Sequence, residues 1–278
     1  MNEDIAHHPL PGASKGEAPG RGRLEGRRIL VVGGGQRTVD PASDPIGNGR
    51  AMSVLFAREG ATVAVADKSG DAARDTVAMI SVEGGQAFAI TADIAASGEV
   101  TRMVAEAVSR LGVIDGMVLN VGVGVGGLGL AGATPESWDE TLAINLRGPM
   151  LCCRAALARL EEGSSILFIS SIAGLVAGSR LPAYDASKSA LHALMRHVAL
   201  EGAQRSIRAN TICPGLMDTP LGRVATQGRP SRGAARTPMR RQGTGWETAY
   251  AALFLMSDES AYVNAQILAV DGGVTGIS

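Results

Sequence analysis

Aromatic residues make up only 3% of this 278-residue chain, and cysteine occurs three times, at Cys152, Cys153 and Cys213. An odd, unpatterned set with two members adjacent in sequence offers neither a disulfide framework nor metal-ligand spacing, so the expected setting is the reduced cytoplasm. His7, His8, His192 and His197 also lack ligand spacing with carboxylates or cysteines, and no metal is expected; His192 and His197 read as decoration on a helix surface. A formal net charge of −1 leaves no basic footprint for nucleic acid. The segment Met117 to Ala133 is long and apolar, but Asn120 and many glycines break it, which argues against a membrane helix. The N-terminus lacks the basic-then-apolar order of a signal peptide.

What is present is alanine, valine and glycine, with 45% hydrophobic residues and 37 glycines, a profile suited to compact α/β packing. Residues 1–25 mix His, Pro, Gly and charge without a period and read as a flexible tail outside the fold. From Arg28 onward, short β-rich runs alternate with helical patterns: "RILVVG", Gly49 to Glu59, "ATVAVAD", Asp71 to Glu83, "QAFAIT", Val100 to Leu111 and "IDGMVLN". In the third helix, Val100, Met103, Val104, Ala107, Val108 and Leu111 recur at three and four residues, one stripe for a sheet to cover. A second half follows: a helix opened by Thr134 and Pro135, the strand "SSILFIS", a helix from about Pro182 to Gln204, "SIRANTI", a helix near Glu247 to Met256, and "AQILAV". Such alternation predicts a single Rossmann-like α/β domain over residues 26–278, a doubly wound parallel sheet with helices on both faces.

Glycines after a first strand let backbone N–H groups approach a pyrophosphate at the positive end of the next helix. Gly33, Gly47 and Gly49 can fill these roles if residues 36–45 bulge out as an insertion, read as a surface loop in preference to a clamp over the phosphates. Asp67 closes the second strand, twenty positions beyond Gly47, where a carboxylate accepts hydrogen bonds from ribose hydroxyls and repels a 2′-phosphate. NAD is therefore expected over NADP, with Arg37 and Arg50 as the cations that could argue otherwise.

The segment "SSIAGLVAGSRLPAYDASKSALHAL" carries the reacting groups. Tyr184 and Lys188 lie four apart in a predicted helix and share a face, while Ser171 stands at the carboxyl edge of a strand, where open α/β sheets bind ligands. A phenol with a pKa of about 10 is a poor base at neutral pH, and a neighbouring ammonium favours the phenolate. Pro149 has no N–H to give the carbonyl of Asn145 four residues earlier, so a helix through both leaves that carbonyl free for water, at a kink or a helix end near Gly148.

These residues make the chain similar to the short-chain dehydrogenase/reductases: Ser171, thirteen residues later Tyr184, then Lys188, with Asp93-Ile94, Asn120-Val121-Gly122, Asn145, "CPGLMDTP" and the closing "VDGG". The resemblance runs from about Arg28 to the C-terminus and departs at Val32, Leu119 and the interrupted glycine turn. It implies Asn145, Ser171, Tyr184 and Lys188 as catalytic residues, with Tyr184 transferring the proton, Ser171 orienting the substrate oxygen and Asn145 holding a relay water. It further implies cofactor contacts from Gly33, Ile46, Gly47, Gly49, Asp67, Asp93, Ile94, Asn120, Gly122, Tyr184, Lys188, Pro214, Leu216 and Thr219. A homo-oligomer, dimer or tetramer, built on the helices near Ser137 and Pro182 is implied as well.

The expected reaction is hydride transfer between NAD and a small secondary alcohol or ketone. The alternatives are a 3-oxoacyl-thioester reductase using NADPH and a nucleotide-binding redox sensor without turnover. Gly122 to Gly132, with Leu175, Val176, Leu181 and Pro182, predicts a roomy apolar cleft. The resemblance marks residues 221–245 as the segment covering the substrate, read as a mobile lid; it contains Arg223, Arg229, Arg232, Arg236, Arg240 and Arg241 without an acid, which leaves an anionic substrate open.

Overall fold

In the computed structural model, residues 9–38, 40, 43–226 and 237–277 are described. Seven parallel strands form the central sheet in the order β3-β2-β1-β4-β5-β6-β9. They are β1 (Arg28–Val32), β2 (Thr62–Asp67), β3 (Gln86–Thr91), β4 (Ile114–Leu119), β5 (Leu160–Ile169), β6 (Arg208–Pro214) and β9 (Ile267–Val270). Short strands β7 (Met217–Asp218) and β8 (Gly243–Thr244) pair separately beside the end of β6.

Strand alternation sorts the apolar residues into two cores, as a sheet covered on both faces requires. Ile29, Val31, Val63, Val65 and Val118 face α2 (Asn48–Arg58), α3 (Gly70–Val82) and α10 (Gly245–Met256), packing with Phe56, Ile80 and Leu253. Leu30, Val32, Ala64, Met117 and Leu119 face α4 (Ser97–Leu111), α7 (Gly148–Ala156) and α8 (Pro182–Gly202), packing with Met103, Cys152 and Leu191. The α4 stripe lands as its spacing predicts: Val100, Met103, Val104, Ala107 and Leu111 are all buried. Thr134 accepts from the backbone N–H of Ser137 and caps α6 (Pro135–Leu142), which starts on its proline.

The expected N-terminal tail requires correction. Residues 9–25 pack on the domain, including a short helix, α1 (Gly12–Lys15), and Leu24, which is wholly buried among the α2 and α10 residues. The Glu59 carboxylate accepts from the backbone N–H groups of Arg21 at 2.8 Å and Arg23 at 3.0 Å, and Arg58 donates to the Gly16 carbonyl at 2.8 Å. A Cβ on Gly16 would come within 2.2 Å of Trp246, and one on Gly20 within 2.1 Å of the Arg58 carbonyl. The glycines that read as flexibility instead permit close approach to helices. Residues 1–8 lie outside the described residues, as do residues 227–236 of the expected lid. Its first part forms α9 (Pro220–Thr226).

Candidate active site

The sheet order places the expected site residues along one edge. Proceeding across the carboxyl ends, β3 leads to Asp93 and Ile94, β2 ends in Asp67, and β1 leads to Gly33. Next come β4 with Asn120 and Gly122, β5 with Ser171, and β6 with Pro214, Leu216 and Thr219. Five inter-strand spacings make this row about 24 Å long, a length suited to an extended dinucleotide.

The catalytic candidates are joined by buried contacts. The Lys188 ammonium donates to the Ile169 carbonyl at 3.0 Å and lies 5.6 Å from the centre of the Tyr184 ring. Its backbone carbonyl accepts from Ser170 Oγ at 2.8 Å, so the end of β5 grips Lys188 at both ends. The next residue, Ser171, caps a short 3₁₀ turn by accepting from the Ala173 N–H at 3.1 Å. That turn packs directly on α8, where a Cβ on Gly174 would come within 2.8 Å of the Lys188 backbone.

Asn145 sits in a single π-helical turn, Ala143–Arg147, in which the Gly148 N–H reaches back to the Ala143 carbonyl. The missing N–H of Pro149 explains why the helix widens here. The buried Asn145 side chain accepts from the Val123 N–H at 2.8 Å and donates to the Val123 carbonyl at 2.8 Å and to Ser187 Oγ at 3.0 Å. Ser187 Oγ in turn donates to the Tyr184 carbonyl at 2.8 Å. A Cβ on Gly122 would stand 2.8 Å from Lys188 Nζ, so the loop after β4 passes close against the ammonium.

Burial pulls the Lys188 pKa down to about 8, against a smaller opposing effect of Cys213. The group still carries its proton at neutral pH. Ser187, Ser170 and His192 were not anticipated as supports. His192 is a correction: it is buried, with Nε2 3.1 Å from Ser170 Oγ and 3.4 Å from Cys213 Sγ, and burial lowers its pKa. Its position one turn after Lys188 was the available signal. His197 does face solvent, 2.7 Å from Glu201.

The glycine turn forms a side-chain-free cradle. Gly33 has φ +82°, and a Cβ there would come within 2.8 Å of the Val121 side chain. A Cβ on Gly49 would come within 1.9 Å of the Gly33 carbonyl. Gly47 is the N-cap of α2, and the Ile46 carbonyl before it abuts Gly245, whose Cβ would lie 2.6 Å away. These residues fit a pyrophosphate at a helix start. The Asn120 amide is spent on the turn itself, donating to the Gly33 carbonyl at 2.7 Å.

Asp67 accepts from the Gly35 N–H and from the Ser69 N–H, each at 3.0 Å, so its carboxylate borders the turn. Arg50 is engaged by α3, donating to Thr76 Oγ1 at 3.0 Å, and lies near enough to Asp67 for that carboxylate to favour its charge. Asp93 lies 2.7 Å from Lys68, which holds its carboxyl below the ordinary range, while Ile94 is buried against Gly148. At the β6 exit, the Leu216 carbonyl accepts from the Gly243 N–H at 3.0 Å, and Thr219 Oγ1 accepts from the Gly222 N–H at 3.1 Å. Among the described residues, no group of three or more His, Cys, Asp or Glu is placed to hold a metal ion, and no helix is long and apolar enough to cross a membrane.

The model of a family described as enoyl-(acyl carrier protein) reductase matches residues 42–275. The 2-(S)-hydroxypropyl-CoM dehydrogenase 3 of Xanthobacter autotrophicus is 34% identical over 264 residues, covering 92% of this chain and 99% of its own. The crystal structure of a putative short-chain dehydrogenase/reductase from Burkholderia xenovorans superposes with a TM-score of 0.85 at 36% identity, covering 93% of this chain and 100% of its own. A short-chain dehydrogenase from Burkholderia cenocepacia, solved with NADP, gives a TM-score of 0.82 at 30% identity over 91% of this chain and 100% of its own. With the ordered row of residues along the sheet edge, these likenesses establish that the chain is an oxidoreductase of the short-chain dehydrogenase/reductase family.

Proposed function

We propose that this protein interconverts a neutral, apolar secondary alcohol and its ketone with NAD as hydride acceptor, oxidation being the working direction. The observation that carries this reading is the linked block of half-buried Tyr184, buried Lys188 and Asn145, and the Ser171 turn at the carboxyl ends of β4 and β5. The bound nicotinamide supplies the hydride acceptor. Tyr184 takes the hydroxyl proton in oxidation and returns it in reduction, and the Lys188 ammonium favours the phenolate that does so. Ser171 orients the substrate oxygen. Asn145, locked to Val123 and Ser187, fixes the helix that carries Tyr184.

NAD is supported by the Asp67 carboxylate at the turn and by the commitments of nearby cations. Arg50 is held by α3, and Lys68 by Asp93. NADP in the Burkholderia cenocepacia relative makes the paired cofactor assay essential.

The apolar substrate is supported by the rim of the cleft. Leu128 and Leu130 follow β4, Leu175 and Val176 follow β5, and Leu221 and Met239 follow β6; all six are exposed. Two lid arginines that could have bound an anion have intramolecular carboxylates instead: Arg223 holds Asp218 at 2.8 Å, and Arg241 holds Glu247 at 2.6 Å. The 2-hydroxypropyl group named for the Xanthobacter relative is itself a secondary alcohol.

A panel of neutral cyclic and branched secondary alcohols, run beside 3-hydroxyacyl thioesters with NAD and with NADP, tests the reading. Turnover of the neutral alcohols with NAD supports it. Turnover confined to thioesters with NADP favours the reductase alternative, and cofactor binding without turnover favours a sensor. The expected homo-oligomer would use the outer face of α6 to α8, where Leu142, Leu146, Met150 and Leu194 line an open groove of about 550 Å³. Light scattering at several concentrations checks that assignment.

A further inference from the structure

The insertion at residues 36–45 is stapled at its base and tied at its tip. Gln36 Nε2 donates to the Pro45 carbonyl at 3.3 Å, and Gln36 Oε1 accepts from the Gly47 N–H at 2.7 Å. The glycine turn therefore resumes directly across the base of the loop. Within the loop, the Asp44 N–H donates to the Asp40 carbonyl and the Asp40 N–H to the Asp44 carboxylate, both at 2.9 Å. The described residues of the loop are thus held by hydrogen bonds of their own.

Its described tip is attached to the segment that follows β6. Arg223, on the lid helix α9, donates through one guanidinium nitrogen to the Ser43 carbonyl at 2.6 Å. The same guanidinium holds Asp218 with two further bonds, at 2.8 Å and 3.1 Å, immediately before Thr219. Asp218 raises the Arg223 pKa, with Asp44 and Asp40 adding to the effect. The insertion grows from the end of β1 and the lid helix from the end of β6, and β4 and β5 lie between these strands. Three inter-strand spacings, about 14 Å, separate the two strand ends, yet the insertion and the lid segment meet above them, through Arg223 at Ser43 and through Ile46 against Gly245.

We infer that the insertion is a clasp: Arg223 ties the phosphate turn to the lid helix, and a bound dinucleotide leaves only when this bridge opens. The inference rests on the reading of the cleft as an NAD site. Both segments expected to hold the cofactor, Gly33 to Gly49 and Leu216 to Thr219, are rooted at the ends of one bridge. Its opening is then a step in cofactor release, and lid and loop motions of this kind limit turnover in many enzymes. A guanidinium suits the task because its planar fork serves a carboxylate and a carbonyl at once.

The test is the rate of NADH release from the full-length protein, followed by stopped-flow fluorescence on displacement with excess NAD. Three variants are compared with the parent: Arg223→Met, residues 37–44 replaced by Gly-Ser, and the two combined. Each single change is expected to speed release about tenfold, and the combination no more than either alone, because both open the same bridge. Amide hydrogen exchange at Ser43 and Asp44 in Arg223→Met, without cofactor, is expected to rise. A parent that binds no NADH overturns the reading of the cleft, and the clasp with it. NADH binding with release indifferent to Arg223, or effects of the two changes that multiply, overturns the clasp alone.

Discussion

The floor and the roof of the cleft are built in different ways. The floor is made by regular elements: β5 ends at Ile169, α8 carries Tyr184 and Lys188, and one π turn offers Asn145. Asn145, Lys188, Ser170 and Ser187 are buried and share hydrogen bonds, so each fixes its neighbours, and Tyr184 stands half-buried among them. The roof is assembled from irregular segments distant in sequence: residues 9–25, the insertion, and the two described ends of the lid. Arg223 reaches Ser43, and Ser14 Oγ donates to Glu247 at 2.9 Å while Glu247 pairs with Arg241. Chemistry that needs fixed geometry belongs on the rigid floor, whereas segments that admit and release ligands must be able to part.

Predictions that break this contrast begin with Lys188. Replacing it with Met is expected to lower kcat by about a thousandfold, within the range for lost acid–base support. It also alters stability with a definite sign. A lysine held at a pKa of about 8 in the fold has lost its proton between pH 8 and its ordinary value of 10.5, where the unfolded chain retains one, so the parent gains stability as pH rises through that window. The advantage of Lys188→Met over the parent should therefore be greatest below pH 8 and shrink by roughly 3 kcal/mol toward pH 10.5. Urea unfolding at several pH values measures it; a difference independent of pH contradicts a charged, buried Lys188.

In the N-terminal segment, Leu24→Ala, in the core beside α2, is expected to cost about 2–4 kcal/mol, the usual penalty for a truncated core side chain. A free tail would give no change, and the same unfolding assay decides. Asp67→Ser should shift the ratio of kcat/KM for NAD over NADP by about a hundredfold toward NADP, because it removes the carboxylate that repels a 2′-phosphate. Steady-state kinetics with both cofactors measure the ratio. Ser170→Ala, which releases the Lys188 carbonyl and removes the 3.1 Å contact to the His192 ring, should lower kcat about tenfold with little change in KM. A change in KM alone would mean that Ser170 does not position Lys188.

The same contrast explains what could be read before the structure. The floor was legible because helix spacing puts Tyr184 and Lys188 on one face, and the missing N–H of Pro149 announced the distorted turn at Asn145. The two cores followed from strand alternation, and Thr134 with Pro135 marked a helix start. The N-terminal segment is illegible in the sequence because glycine is ambiguous: Gly16 and Gly20 sit in an aperiodic stretch, yet they admit Trp246 and the Arg58 carbonyl. His192 was misread because its partners, Ser170 and Cys213, come from two other strand ends. The Arg223 contact was hidden for a similar reason, since it joins residues 180 positions apart through a backbone carbonyl that no side-chain pattern reveals.

The most direct test of the account is isotope transfer from a secondary alcohol deuterated at its carbinol carbon, followed in single turnovers with NAD for the parent and for Tyr184→Phe. The account predicts deuterium on the reduced nicotinamide in the parent. In the variant it predicts a rate at least about a thousandfold lower, with NADH affinity retained. Equal transfer rates, or none from any alcohol in the parent, would contradict it.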